Sequence, residues 1–271
     1  MRIDVLYCVE KRDVNNLLLK SINLCCENFT LLNEIYIVTN DVNGVNELLA
    51  GKACNFKINV INENTILKTE ENIAGWYKQQ MIKLLSYKIC KTKYICCLGA
   101  DAFILSPVTY KDLFYEDNPI LYYNRYDFSP NHLEYERKRV ENIAVLLGVT
   151  PEISYMLGDF IMELMIFEDS TLKELELYIK KLYGSYYDLL SKLSATDLRE
   201  KVSFGEWTLY AMFILDIIHK NVLVKNAKST FMVQIHSRND IALYKRNAKV
   251  IHIVSKAFSE KEVDELVMKG K

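Results

Sequence analysis

The segment GWYKQQMIKLLSYKICKTKYICCLGADAFILSP, residues 75–107, decides the fold prediction. Its first half, to about residue 90, has apolar residues at helical spacing, and its second half contains the apolar run YICCL at 94–98. A short turn with one acid, Asp101, follows this run at once. A helix, a buried strand and an acidic turn in this order predict one unit of a layered α/β fold, with a polar site where the strand ends.

The helix of this segment has two different faces. On a wheel of about 100° per residue, one face is apolar and the other carries hydrogen-bonding and aromatic groups. The apolar face consists of Tyr77, Met81, Leu84 and Leu85, and the second face consists of Trp76, Gln79, Gln80, Lys83 and Tyr87. Amides can bind the polar edges of a base or a sugar, and a Lys can neutralise a phosphate. The second face therefore predicts a nucleotide contact, and a solvated helix face is the alternative.

The acidic turn predicts a cation ligand. A hard divalent cation takes oxygen ligands, and a carboxylate at a strand end supplies one in a fixed position. Such a cation can bridge a diphosphate and stabilise it as a leaving group. Asp101 is the one acid of the turn Gly99-Ala100-Asp101. An Asp that caps its own turn is the alternative.

The rest of the first half alternates strands and helices. Strands are predicted at 3–9, 34–39 and 56–61, and helices at 14–29 and 45–50. The strands are short and apolar on both faces, which is typical of a mostly parallel sheet between helices. A ligand crevice is expected at the carboxyl ends of such strands.

After Pro107 the pattern becomes more helical. Strands are predicted at 119–124, 159–167, 231–236 and 249–254, and helices at 131–148, 170–183, 186–199, 204–218 and from about 260. Ser259 and Glu262 form a capping-box pattern at the last helix. We predict a single α/β domain over 1–271, with a nucleotide-binding half at 1–107 and an acceptor-side half with helical insertions at 108–271.

Composition excludes some partners. The 271 residues have a net charge of −1 and no long basic run, so no nucleic-acid partner is expected. The N-terminal MRIDVLYCV lacks the apolar segment of a signal peptide, and no run reaches the roughly 18 apolar residues of a membrane helix. The seven cysteines, with no C-x-x-C spacing, predict reduced thiols without a disulfide framework. We expect a cytoplasmic protein, with a peripheral contact at the inner face of the membrane if its acceptor is lipid-linked.

The segments GWYKQQMIKLLSYKI and YICCLGADAFILSP resemble the donor-site core of GT-A fold glycosyltransferases, in particular the bacterial surface-polysaccharide type. In those proteins W-x-x-Q-Q-x-x-K-L precedes a strand that ends in an L-D-x-D-like motif. Three further segments follow in the same order as in the family: YYNRYD, FIMELMIF and SFGEWTLYAMFI. The resemblance therefore covers roughly residues 3–255. It implies a GT-A, Rossmann-like fold and a hexosyltransferase-like enzyme. Such an enzyme moves a sugar from a nucleotide-sugar donor to a glycan or lipid-linked acceptor in polysaccharide synthesis.

The chain departs from the family's D-x-D motif at one position. Gly99 stands where the family has its first acid, and Asp101 stands where the family has the acid that ligates the metal. The resemblance implies a divalent metal, Mn²⁺ or Mg²⁺, but the missing acid leaves metal dependence open.

The resemblance and the positions in the fold also imply a set of site residues. The implied donor-binding residues are Cys8, Asn40, Trp76, Gln79, Gln80, Lys83, Ala100 and Asp101. The implied metal ligands are Asp101, His252 and His236, and the implied catalytic bases are Glu206 and Asp159. Each has a structural alternative: Glu206 can cap its helix with Ser203, Asp159 can be a turn residue, and a His in an apolar strand can be a satisfied core residue.

Two other functions remain open at this point. A non-catalytic GT-A-like protein that binds a nucleotide or sugar is favoured by Gly99. A sugar nucleotidyltransferase would share the sheet and the metal chemistry, but it needs a Gly-rich loop after the first strand, and CVEKRDVNN contains no Gly.

Overall fold

A mostly parallel sheet lies between helices at the centre of the molecule. The structure, a computed structural model, describes residues 1–51, 54–68, 75–123, 130–150, 157–160, 162–195, 204–227, 231–235, 248–253 and 258–270, and of 130–135, 194–195 and 269–270 it describes the backbone alone. The strands of the central sheet are β1 (Ile3–Val9), β2 (Leu32–Thr39), β3 (Ile58–Asn62), β4 (Tyr94–Leu98) and β9 (Leu164–Glu168).

The strand order in this sheet is β3-β2-β1-β4-β9. The first four strands run parallel, and β9 closes the edge antiparallel to β4. The parallel strands need crossover connections, which the helices supply. The predicted α/β class with a mostly parallel central sheet is confirmed.

Helices and three smaller sheets complete the described part of the chain. The helices are α1 (Asn16–Asn28), α2 (Val42–Leu49), α3 (Gly75–Leu84), α4 (Tyr110–Leu113), α5 (Pro130–Leu147), α6 (Asp169–Tyr183), α7 (Tyr186–Ala195), α8 (Glu206–Met212) and α9 (Glu260–Gly270). The smaller sheets pair β10 (Val224–Asn226) with β8 (Leu121–Tyr123), β6 (Phe114–Tyr115) with β7 (Asn118–Pro119), and β11 (Met232–Ile235) with β12 (Val250–Ile253) and β5 (Ala102–Ile104).

Several predicted elements have different bounds in the structure. The helix predicted from 75 to about 90 ends at Leu84 and gives way to a 3₁₀ turn at Ser86–Lys88. The strand predicted at 159–167 begins only at Leu164, and Asp159 instead accepts hydrogen bonds from side chains of α5 and α8. The capping box at the start of α9 forms as predicted, with both Ser259 donors on the Glu262 carboxylate at 2.8 Å.

One cysteine prediction is wrong. Cys26 at the end of α1 and Cys54 before β3 are joined by a disulfide, with their Cα atoms 6.8 Å apart. The sequence does not show this pairing because the crossover through β2 and α2 brings the two segments together. The five other cysteines are free and mostly buried. The cysteines therefore no longer support a reducing compartment, and the cytoplasmic location stays a prediction.

Within the residues that the structure describes, no helix is both long and apolar enough to cross a membrane.

Asp4 ties three strands together at the amino-terminal end of the sheet. Its carboxylate is fully buried and accepts from Asn33 Nδ2 at 2.8 Å, from the backbone N–H groups of Lys91 at 2.7 Å and Thr92 at 3.2 Å, and from that of Glu34 at 3.3 Å. A buried carboxylate is tolerated only with such partners. Asp4 therefore fixes how the segments that enter β2 and β4 meet β1, at the end of the sheet opposite the carboxyl ends of its parallel strands.

We expect Asp4→Ala to lower the free energy of unfolding by about 3 kcal/mol, because it leaves several buried donors without an acceptor. Urea denaturation measures this. Asp41→Ala is the matched control: that carboxylate caps α2 through one bond to Gly44 N at 3.1 Å and should cost only about 1 kcal/mol. Equal losses in the two variants would contradict the role assigned to Asp4.

Candidate active site

A cleft of about 380 Å³ opens at the carboxyl ends of β1 and β4. Its walls are the loop after β1, one face of α3, the turn after β4, the start of α8 and part of β12. The residues that line it are Cys8, Arg12, Asp13, Asn15, Leu17, Trp76, Gln79, Gln80, Lys83, Leu98, Gly99, Ala100, Asp101, Glu163, Glu206, Trp207 and His252. This is the edge of a parallel sheet at which ligands of such folds bind.

Helix α3 turns the predicted polar face toward the cleft. Trp76, Gln79, Gln80 and Lys83 line the cleft, while Tyr77, Met81 and Leu84 are buried in the core. Tyr87, which was predicted on the same polar face, instead bonds Glu176 of α6, because α3 ends before it. Lys78 anchors the helix from another side through Glu63 Oε1 and Asn64 Oδ1, both at 2.7 Å.

Hydrogen bonds within the turn, from α1 and from β12 hold the acidic turn in place. The backbone N–H of Ala102 donates to Gly99 O at 3.1 Å, and the hydroxyl of Ser21 on α1 donates to Ala102 O at 2.6 Å. On the side, β5 pairs antiparallel with β12, and the backbone N–H of Ile253 donates to Asp101 O at 3.1 Å. This pairing brings His252 beside Asp101 although the two residues are far apart in sequence.

Asp101, Glu163 and His252 form one cluster at the cleft wall. His252 Nε2 lies 3.4 Å from Asp101 Oδ1 and 4.0 Å from Glu163 Oε1. One ligand atom from each residue lies within 4.8 Å of the other two. Two ligands of an octahedral cation at about 2.1 Å stand about 3 Å apart when adjacent and about 4.2 Å apart when opposite. The three side chains therefore fit a divalent cation with small adjustments.

The charges of this cluster are unbalanced without a cation. Burial raises the pKa of Glu163 above its ordinary value, despite the neighbouring imidazole of His252. Burial would also raise the pKa of Asp101, but the hydrogen bond and charge of His252 outweigh it and lower that pKa. At His252 burial would lower the pKa, and the carboxylates of Glu163 and Asp101 raise it instead. Two carboxylates thus share one imidazole, and Lys83 adds a further positive charge near both of them.

A second cluster joins α3 to α8. Lys83 Nζ lies 2.7 Å from Glu206 Oε1 and 4.4 Å from the centre of the Trp207 ring. With its amide nitrogen turned toward the carboxylate, Gln80 also donates to Glu206 Oε1 at 3.1 Å. Burial would lower the pKa of Lys83, but the carboxylates of Glu206 and Glu163 raise it above its ordinary value, so Lys83 is charged. The Glu206 carboxylate is therefore fixed by side chains of α3. Ser203, its predicted capping partner, lies outside the described residues.

Cys8 lines the cleft near Lys83 and Glu206. Burial raises the pKa of its thiol to about 12. The thiol is therefore neutral at physiological pH, and it can pack against a ligand but cannot act as a thiolate nucleophile.

The structure does not bring every predicted residue into the cleft. Asn40 is exposed, and its Oδ1 accepts from the backbone N–H of Lys11 at 3.0 Å, so it positions the loop after β1 without lining the cleft. Asp159 is buried, is paired with Arg139 and accepts from Thr208 Oγ1 at 2.7 Å. It therefore links α5 to α8, and its role as a base stays a prediction. His236 lies outside the described residues.

Other residues in the cleft were missed by sequence reasoning. They include Glu163, Trp207 and Asn15, while Arg12 and Asp13 belong to the loop after β1, at the edge of the sheet where a ligand crevice was expected. Glu163 follows no local motif and reaches the cleft only through the pairing of β4 with β9. Trp207 directly follows Glu206, and its aromatic ring next to a predicted site residue was a usable signal. Asn15 caps α1 by accepting from Leu17 N at 2.9 Å, which a turn-then-helix pattern indicates.

Comparison with known proteins gives a family and a fold. The model of a family described as "Family of unknown function (DUF6492)" matches residues 7–262. No curated protein matches the chain in sequence. The crystal structure of mouse xyloside xylosyltransferase 1 in its apo form superposes with a TM-score of 0.54, at 13% identity over 96% of this chain and 100% of that one. The central sheet and its helices therefore have a glycosyltransferase fold, as predicted. The bacterial polysaccharide subtype stays a prediction.

Proposed function

The chain belongs to the DUF6492 family, whose function is unknown, and we propose from its cleft that it is a glycosyltransferase. It would move a sugar from a nucleotide-sugar donor to a glycan or lipid-linked acceptor. One observation carries this proposal: the pair of Asp101 with His252 lies in the same cleft as a helix face that presents a Trp, two amides and a Lys. A bound cation and a Lys can neutralise the charge of a diphosphate, and amides can bind the polar edges of a base or a sugar.

The chain's own residues would share the work of donor binding. Asp101 and His252 would hold Mn²⁺ or Mg²⁺, which when bound neutralises charge on the diphosphate leaving group. Trp76 and Gln79 are partly exposed in the cleft and offer a ring face and an amide to the nucleotide. Lys83 adds a positive charge at the cleft wall. We assign donor binding to this face of α3.

Glu206 is the carboxylate that we assign to the acceptor hydroxyl. It begins α8, where the helix N-terminus favours negative charge, and Lys83 and Gln80 fix its orientation. A positioned carboxylate is what general-base catalysis requires. Asp159, the other predicted base, is engaged by Arg139 and Thr208 and is not among the described residues that line the cleft.

A specific observation favours a second candidate function. Gly99 removes the first acid of the expected triplet, so the cleft could bind a nucleotide sugar without turning it over. A non-catalytic protein of this kind would bind the nucleotide sugar as the enzyme does but would not turn it over. A binding measurement followed by a turnover measurement on the same preparation separates the two.

We expect the whole chain to bind one class among UDP-, GDP- and CMP-sugars, at least about 10-fold tighter with Mn²⁺ than with EDTA. Both tryptophans line the cleft, so intrinsic fluorescence reports occupancy and calorimetry gives the affinity. Release of free sugar without an acceptor then reports chemistry. Asp169→Asn, a carboxylate on α6 outside the cleft lining, is the control and should bind like the wild type.

Two outcomes decide against parts of this proposal. If no nucleotide sugar binds with or without the cation, the cleft is not a donor site and both candidate functions fail. If a donor binds but is neither hydrolysed nor transferred to any acceptor, the enzyme proposal fails and the binding protein stands.

A further inference from the structure

Gly99 and Glu163 are direct neighbours across two antiparallel strands. The ladder of β4 and β9 ends with Leu98 opposite Leu164, and the next pair outward is Gly99 and Glu163. A backbone bond from Gly99 N to Glu163 O at 2.9 Å continues the ladder to this pair. Residues in such positions place their Cβ atoms about 5 Å apart on one face of the sheet. The side chain of Glu163 therefore reaches the space that a side chain at 99 would fill.

The space above Gly99 is already occupied by that carboxylate. A Cβ atom built on Gly99 would collide with Glu163 Oε2 and would come within 3.3 Å of Asp101 Oδ1. The position of the Glu163 carboxylate therefore depends sterically on the glycine at 99. The absence of a side chain at 99 leaves room for a carboxylate that arrives from the neighbouring strand.

The position of this carboxylate matches what the missing acid would supply. Glu163 Oε1 lies 4.0 Å from His252 Nε2, and one of its oxygens lies within 4.8 Å of an Asp101 oxygen. Within the described part of the chain, His252 is the one basic group within 4.0 Å of Glu163. Glu163 stands beside two of the predicted cation ligands, and Lys83 contributes a further positive charge near it.

We propose that Glu163 is a cation ligand that replaces the acid absent at position 99, so that Asp101, Glu163 and His252 form one site for a divalent cation. This cation site rests on the proposed function in one respect only, namely that the bound cation would contact the diphosphate of a nucleotide sugar. Cation binding itself needs no donor. The replacement of that acid by Glu163 also explains how the chain can lack the first acid of the triplet and still hold a metal.

The test measures Mn²⁺ binding by the whole chain without any nucleotide, by calorimetry and by Trp fluorescence. We expect Glu163→Gln to weaken Mn²⁺ binding at least about 10-fold, because it removes a ligand charge while keeping the side chain's size. Glu174→Gln, an exposed carboxylate on α6, is the matched control and should bind like the wild type. Circular dichroism checks that each variant is folded.

A double variant that moves the acid from position 163 to position 99 tests whether Glu163 replaces the acid absent at position 99. Glu163→Ala should lose Mn²⁺ affinity, and adding Gly99→Asp to it should restore affinity to within about 3-fold of the wild type, because the acid returns to the opposite strand. In the single variant Gly99→Asp the Cβ atom meets Glu163 Oε2, so the Glu163 carboxylate has to move aside.

The outcomes separate this inference from the proposed function. Unchanged Mn²⁺ binding in Glu163→Gln, or no Mn²⁺ binding by the wild type at millimolar concentration, overturns the inference. If the double variant is folded but does not regain Mn²⁺ affinity, Glu163 does not replace the acid absent at position 99. Binding of a nucleotide sugar in the same experiments would leave the donor site standing in each case.

Discussion

Asp101→Asn is expected to lower sugar release and transfer from a nucleotide sugar by at least about a thousand-fold. The change removes one negative ligand from a site where two carboxylates and an imidazole meet. Cation stabilisation of a leaving diphosphate is worth several kcal/mol, and about 4 kcal/mol is a factor of a thousand in rate. Turnover with saturating donor, together with donor affinity in Mn²⁺ and in EDTA, measures the effect.

The fold should survive this substitution. The turn is held by backbone atoms of Gly99, Asp101 and Ala102 together with the hydroxyl of Ser21, and the hydrogen bond of the Asp101 carboxylate to His252 is one that an Asn oxygen can also accept. A melting temperature close to that of the wild type is therefore part of the expected result. Asp169→Asn should retain full turnover. If Asp101→Asn binds and turns over its donor like the wild type, the cation-site assignment is wrong.

The fold and one side of the cleft were predictable because they depend on local patterns. The periodicity of residues 75–84 separates a core face from a polar face, and an apolar run that ends at a turn acid marks a strand end. In a parallel sheet such ends gather at one edge, so Asp101 and the polar face of α3 could be expected in the same cleft.

The rest of the cleft depends on contacts between distant segments, which local patterns do not contain. Glu163 reaches Gly99 only because β9 pairs antiparallel with β4, in a register that no turn between adjacent strands fixes. The disulfide between Cys26 and Cys54 likewise depends on how a crossover places two segments. The contacts of Asp159 with Arg139 and Thr208 are likewise contacts between distant segments that its local sequence does not indicate.

The pairing of Lys83 with Glu206 also had no signal in the sequence, although each residue was predicted for the site. The two residues are 123 positions apart and meet because α3 and α8 pack together at the cleft. Their side chains are 14% and 2% exposed. Such a pair either stabilises the helix contact alone or also orients a group that reacts.

A double-variant cycle on Lys83 and Glu206 is expected to separate these two roles. Lys83→Met should lower the free energy of unfolding by about 3–5 kcal/mol, because it leaves the buried Glu206 carboxylate without its cation. Glu206→Gln should cost somewhat less, since Lys83 is more exposed. The double variant should recover most of the stability, as neutral replacements of a buried pair often do. Denaturation in urea measures all four proteins.

Activity should behave differently from stability in this cycle. Because Glu206 is assigned to the acceptor hydroxyl, the double variant should remain at least about 100-fold slower in transfer although it is stable again. The pair of Lys78 with Glu63 is the matched control: Lys78 lies on the same helix as Lys83 and has the same 2.7 Å separation from its carboxylate, but neither residue lines the cleft. Lys78→Met with Glu63→Gln should change stability and leave transfer unchanged. Full transfer by the Lys83→Met, Glu206→Gln protein would show that the pair only holds α3 against α8, and the base would then have to be another carboxylate of the cleft.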